Sequence, residues 1–132
     1  MPRHLHAFSL LVPDYDTALN FYVGKLGFAL REDTDLGGGK HWVVIAPDAE
    51  AQTNILLAQA ADDNQRAVIG NQFGGRIGLL LHTDNFNRDH AAMLAQGVTF
   101  EEEPRHEPYG TVAVWRDPFG HRWDLLQLSA KA

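Results

Sequence analysis

The sequence predicts an α+β fold of two βαβββ modules, and three observations carry that prediction. The order strand, helix, strand, strand, strand occurs twice along the 132 residues. Its landmarks keep one offset: Asp14 and Gly27 lie 13 residues apart, as do Asp84 and Gly97, 70 residues further on. Pro47 to Asn54 and Asp117 to Asp124 are each 7 residues, again offset by 70. A single such module would leave one sheet face bare, so two modules forming a curved mixed sheet around a shared cavity are expected. The expected organisation is one domain over 1–132, with module one at 4–58, a connector at 59–75 and module two at 76–128.

Each element has a local reason. Residues 4–12 (HLHAFSLLV) predict a strand that Pro13 and Asp14 end. The Asp14 carboxylate can accept an orphan backbone N–H and so cap a helix over 15–25. Ala18, Leu19, Tyr22 and Leu26 give that helix an apolar stripe, and Gly27 can close it in the left-handed conformation. A strand begins at 28–33, and the glycines within 35–39 predict a turn. Residues 41–46 (HWVVIA) and 53–58 (TNILLA) are strands rich in β-branched, aliphatic and aromatic residues. The connector lacks a sustained period beyond room for a short helix.

The second module follows the same plan. Residues 76–82 predict a strand, and Asp84 or Asn85 caps a helix over 86–96 with Phe86, His90, Met93 and Leu94 near one face. After Gly97, VTFEEE predicts a strand. Residues 104–110 (PRHEPYG) predict a loop, and 111–116 and 122–128 the last two strands.

Composition bounds the partners. Lys and Arg total 11 against 17 Asp and Glu, a formal charge of -6, with no basic stripe. That argues against nucleic acid and anionic membranes, which are bound by concentrated Lys and Arg. The chain has no cysteine, which removes disulfides and thiolate chemistry. No apolar run approaches a membrane span. A cytoplasmic location is expected.

Residues 12–28 (VPDYDTALNFYVGKLGF), 97–100 (GVTF) and 117–125 (DPFGHRWDL) resemble the vicinal oxygen chelate superfamily, the glyoxalase/bleomycin resistance/dihydroxybiphenyl dioxygenase-like fold. The resemblance covers nearly the whole chain and implies a homodimer. It also implies a divalent ion, Ni, Zn, Fe or Mn, held by one residue on the first and one on the last strand of each module. Those positions fall on Ala7, Asn54, Gly78 and Asp124. Only Asp124 offers a good ligand, since these ions need imidazole nitrogen or carboxylate oxygen. No cofactor is therefore expected, with a divalent metal as the alternative. A displaced set of His82, Asp124 and His41 is conceivable.

The candidate ligand-binding residues are Asn54, Arg76, Asp124, Trp42, Trp115, Tyr109 and His106. Asn54 and Asp124 occupy repeat-equivalent positions and could anchor a ligand by hydrogen bonds. A partly buried Asp needs a partner, and Arg76 is the first choice. Trp42 and Trp115, nearly equivalent in the two modules, could form an aromatic wall or fill the core. Tyr109 could cover a ligand, and His106 could act as an acid or base near neutrality. The expected function is small-molecule binding without the family metal. The alternatives are a metal-dependent lyase or ring-cleaving dioxygenase with a displaced ligand set, and a structural dimerisation module without ligand.

Overall fold

The computed structural model describes residues 2–130. The chain divides into two compact units, Met1–Ile69 and Gly70–Ala132.

The first unit runs β1 (Ala7–Val12), α1 (Tyr15–Leu19), a π-helical turn (Asn20–Lys25), β2 (Ala29–Gly37), β3 (Lys40–Ala46), β4 (Asn54–Gln59) and α2 (Asp63–Val68). Its mixed sheet has the order β1-β4-β3-β2, with β1 parallel to β4 and the other pairs antiparallel. Strand β2 is longer than expected, because the hairpin turn shrinks to Gly38 and Gly39 with φ of 64° and 82°. Asp14 caps α1 as expected, its Oδ1 accepting the Thr17 N–H at 2.7 Å.

The helix continues past Leu19 with wider turns. The Leu26 N–H reaches the Phe21 carbonyl at 3.0 Å, and the Phe28 N–H reaches that of Tyr22 at 2.9 Å. Five- and six-residue spacings let two consecutive aromatics, Phe21 and Tyr22, both enter the core, their rings 5.0 Å apart. The expected stripe is corrected accordingly: Ala18 and Tyr22 are buried, Phe21 joins them, and Leu19 and Leu26 are only half-buried.

Register explains which face of this sheet is core. Leu10 pairs with Leu57, Val43 with Leu57 and Ile45 with Ile55. These residues share one face by the two-residue alternation of a strand, and all five are buried. Ser9, Leu56 and Trp42 belong to the other face and keep some exposure.

The second unit runs β5 (Leu79–His82), α3 (Phe86–Ala95), β6 (Thr99–Phe100), β7 (Arg105–Glu107), β8 (Gly110–Arg116) and β9 (Arg122–Leu128). Its order, β5-β9-β8-β6 with β7 also on β8, repeats that of the first unit, including the parallel pairing of first and last strands. Three expectations are corrected. The strand expected at 76–82 begins only at Leu79. The segment expected to loop over 104–110 contains β7, with Arg105 opposite Val112. Leu94 is 51% exposed, while Phe86 and Met93 are the buried face of α3. Asn85 rather than Asp84 caps that helix, accepting the Arg88 N–H at 3.1 Å.

The turn into β9 is organised by Asp117. Its Oδ1 accepts the N–H of Phe119 at 3.0 Å and of His121 at 2.8 Å. This agrees with His121 as a turn residue. Among the described residues, no helix is long and apolar enough to cross a membrane.

Candidate functional site

A cleft of about 500 Å³ opens in the first unit where β3 and β4 run past their shared ladder. The outermost β3–β4 pair is Val43 opposite Leu57, yet β3 starts at Lys40 and β4 continues to Gln59. The cleft lies beside these extensions. Trp42, Leu56 and Ala58 give it apolar surface, and Lys40, Gln59 and Gln65 give it polar surface. Trp42 is 44% exposed there, held opposite Thr34 of β2.

Tyr15, the first residue of α1, fixes the backbone at the edge of the cleft. Its hydroxyl donates to the His41 carbonyl and accepts the His41 N–H, both at 3.2 Å. The two rings lie 5.4 Å apart. The His41 Nδ1 lies 2.8 Å from Asp33 Oδ1. An ionised carboxylate only accepts, so Nδ1 carries the donated proton. That bond raises the His41 pKa; desolvation opposes it, and the charges of Asp33, Asp35 and Asp16 reinforce it. On the far side, Asp62 and Gln65 cap α2 reciprocally: Asp62 Oδ1 accepts the Gln65 N–H at 2.8 Å, and Gln65 Oε1 accepts the Ala61 N–H at 2.7 Å.

The four positions that the resemblance implies for a metal do not fit one. Ala7 has no donor atom. Asn54 is buried and its amide is committed, with Oδ1 accepting from Arg31 Nη1 at 2.9 Å and Nδ2 donating to the His6 carbonyl at 3.0 Å. Gly78 precedes β5 and lies under Phe73, where a Cβ would stand 2.2 Å from the ring. The residue in register with Asp124 is Leu80, again without a donor. Among the described residues, no three of His, Asp and Glu gather so as to hold a metal ion.

Asp124 is half-buried on β9, and its Oδ1 is sealed from solvent without a hydrogen-bond partner. Burial raises its pKa; Arg105 and Arg122 oppose that, and Glu102 adds to it. The expected Arg76 partner is corrected, since Arg76 is exposed and forms no ion pair with Asp124. The two nearby arginines are committed elsewhere. Arg105 holds Glu102 at 2.8 Å and Glu107 at 3.1 Å. Arg122 grips Glu101 through Nε at 2.8 Å and Nη2 at 2.9 Å, and donates Nη1 to the Gly75 carbonyl at 3.0 Å.

The remaining candidates scatter. Trp115 is fully buried and stacks on Trp123 at 4.9 Å, so it fills the core instead of walling a ligand. Tyr109 is 49% exposed at the β7–β8 turn. His106 is exposed on β7, its Nδ1 3.3 Å from Thr111 Oγ1. Of the candidate ligand-binding residues only Trp42 lines the cleft, and it is joined there by His41 of the displaced metal set. Tyr15, Lys40, Gln59 and Gln65 were not singled out, and no spacing marks them. The aromatic at the head of α1 was the sole local hint.

Residues 4–125 match a family model, that of the Glyoxalase/Bleomycin resistance protein/Dioxygenase superfamily. The chain belongs to this superfamily. It has the small-molecule-binding fold of that superfamily without a metal-chelating cluster among its described residues. An uncharacterised protein from Shewanella frigidimarina is 46% identical over 132 residues, 99% of this chain and 98% of that one. UcmS2 is similar in structure, with a TM-score of 0.82, 30% identity and coverage of 96% and 98% of the two chains. So is TnmS3, an antibiotic binding protein from Streptomyces sp. CB03234, with a TM-score of 0.78, 31% identity and coverage of 97% and 98%.

Proposed function

We propose that this superfamily member binds and sequesters a small, partly aromatic organic molecule in the Trp42 cleft without a metal ion. The observation that carries the reading is Trp42 itself. It leaves an indole face 44% exposed on a cleft of about 500 Å³, while Trp115 and Trp123 are buried. That volume lies within the usual range of roughly 300–1,000 Å³ for ligand pockets, and an exposed aromatic wall suits a planar ligand. The donor-poor family positions support binding over metal-assisted catalysis. The likeness to an antibiotic binding protein supports a natural product or similar xenobiotic as ligand. The proposal includes a homodimer, the commonest closed assembly, which sedimentation tests. No nucleic-acid or membrane partner enters it.

Tryptophan fluorescence tests the reading, because Trp42 is the indole open to solvent quenchers. A panel of planar aromatic antibiotics is titrated into metal-stripped protein and into Trp42→Phe. Binding of at least one compound, read by quenching in the wild type and by calorimetry in both proteins, lost in the variant and unchanged by EDTA, supports it. Binding that vanishes with EDTA and returns with nickel or zinc overturns it.

A further inference from the structure

The charges around the Trp42 cleft are unlike those of the whole chain. With 17 acidic and 11 basic residues the protein is anionic, yet the charged groups lining the cleft are Lys40 and His41, and no carboxylate lines it among the described residues. Three carboxylates, those of Asp33, Asp35 and Asp16, keep their charge beside His41 but do not line the cleft. Asp33 accepts from His41 at 2.8 Å. Asp35 Oδ1 accepts the Gly37 N–H at 2.8 Å, closing the hairpin turn. Asp16 acts on His41 only through its charge. Lys40 is exposed and forms no ion pair among the described residues. The turn before it is Gly38-Gly39, which puts backbone and no side chain at that edge of the cleft.

We infer that the cleft selects an anionic planar ligand, an aromatic carboxylate by chemical class, with Trp42 stacking the ring and Lys40 pairing the anion. This rests on the reading of the cleft given above. The apolar floor of Leu56 and Ala58 takes the ring edge, and Gln59 and Gln65 add neutral polar surface. Lys serves here as a mobile point charge that can follow a carboxylate.

His41 makes the preference depend on pH. Protonated, it and Asp33 form a neutral pair; deprotonated, the pair carries one negative charge at the edge of the cleft. The groups facing His41 are Asp33 and Asp35 on β2 and Asp16 and Tyr15 on α1, with Lys40 beside it on β3. Its raised pKa keeps the neutral pair to higher pH than an isolated histidine would. Affinity for an anion therefore falls as pH rises through the His41 titration.

Calorimetric titration of three matched probes tests the inference: naphthalene-2-carboxylate, naphthalene-2-carboxamide and naphthalen-2-ylmethylammonium. The expected result is carboxylate binding about tenfold tighter than carboxamide, and carboxamide no weaker than ammonium. In Lys40→Met the carboxylate-to-carboxamide ratio falls to about one. Equal binding of all three, lost in Trp42→Ala, leaves the cleft reading standing and overturns the charge selection. A preference for the ammonium, or a carboxylate preference that survives Lys40→Met, also overturns it. Binding by none of the three overturns this inference, and the antibiotic panel then decides the reading beneath it.

Discussion

Arg31 places its guanidinium on the amide of Asn54, Nη1 to Oδ1 at 2.9 Å, so a side-chain cation from the chain itself sits at one of the four positions that the family resemblance implied for a metal. The second Arg31 nitrogen, Nη2, donates to the Ala49 carbonyl at 2.6 Å, tying the β3–β4 connection to the same residue. The clasp is structural, and it explains why a buried polar side chain is tolerated at this site: a buried acceptor costs little once it is satisfied.

Removing that clasp leaves the buried Asn54 oxygen unsatisfied. Arg31→Ala is expected to lower stability by about 1 kcal/mol through the stranded acceptor. Urea unfolding followed by circular dichroism measures the change. An unchanged midpoint would mean that solvent satisfies Asn54 equally well.

The two tryptophans of the sequence comparison part company in stability. Trp115 is fully buried against Trp123, so Trp115→Ala is expected to cost about 3–5 kcal/mol. Trp42 is only partly covered, and Trp42→Ala is expected to cost about 1–2 kcal/mol, clearly less than the loss at Trp115. Thermal melts of the pair distinguish core filling from a surface role. Similar losses in both would contradict the assignment of Trp42 to an open cleft.

Gly78 is committed to packing. A Cβ there would meet the Phe73 ring at 2.2 Å, so Gly78→Ala is expected to destabilise by about 1–3 kcal/mol through overpacking. Phe73→Ala in the same chain relieves part of that clash, and a double-mutant cycle measures the coupling. Additive losses would show that the ring does not occupy the space.

Asp124 carries a stability cost that depends on pH. Its folded pKa is raised, mainly by burial, above the ordinary 3.8. The folded state therefore binds this proton more readily than the unfolded chain. The stability it contributes is full below the unfolded value and lost as pH rises through the folded one. Near neutrality Asp124→Asn is expected to raise stability by up to about 1 kcal/mol, limited by partial solvent screening. The gain shrinks toward acid pH. Denaturation midpoints at pH 7 and pH 3 test it; a loss at pH 7 would show that the carboxylate is satisfied in solution.

The features legible in the sequence are those set by residues close together along the chain. Asp14 caps α1 because Thr17 is three residues away. Gly27 and Gly97 end their helices in the left-handed region, with φ of 77° and 81°. The offset of 70 between modules reappears as the same strand order in both units. Burial and partnership depended on register between distant strands. Trp115 faces Trp123 across the β8–β9 ladder and is sealed, whereas Trp42 stands opposite Thr34, beyond the last β3–β4 pair, and stays open. Asp124 has Arg105 and Arg122 as its nearby cations instead of Arg76. A strand's alternation fixes which side chains share its face; which neighbours cover that face is decided only when the sheet assembles.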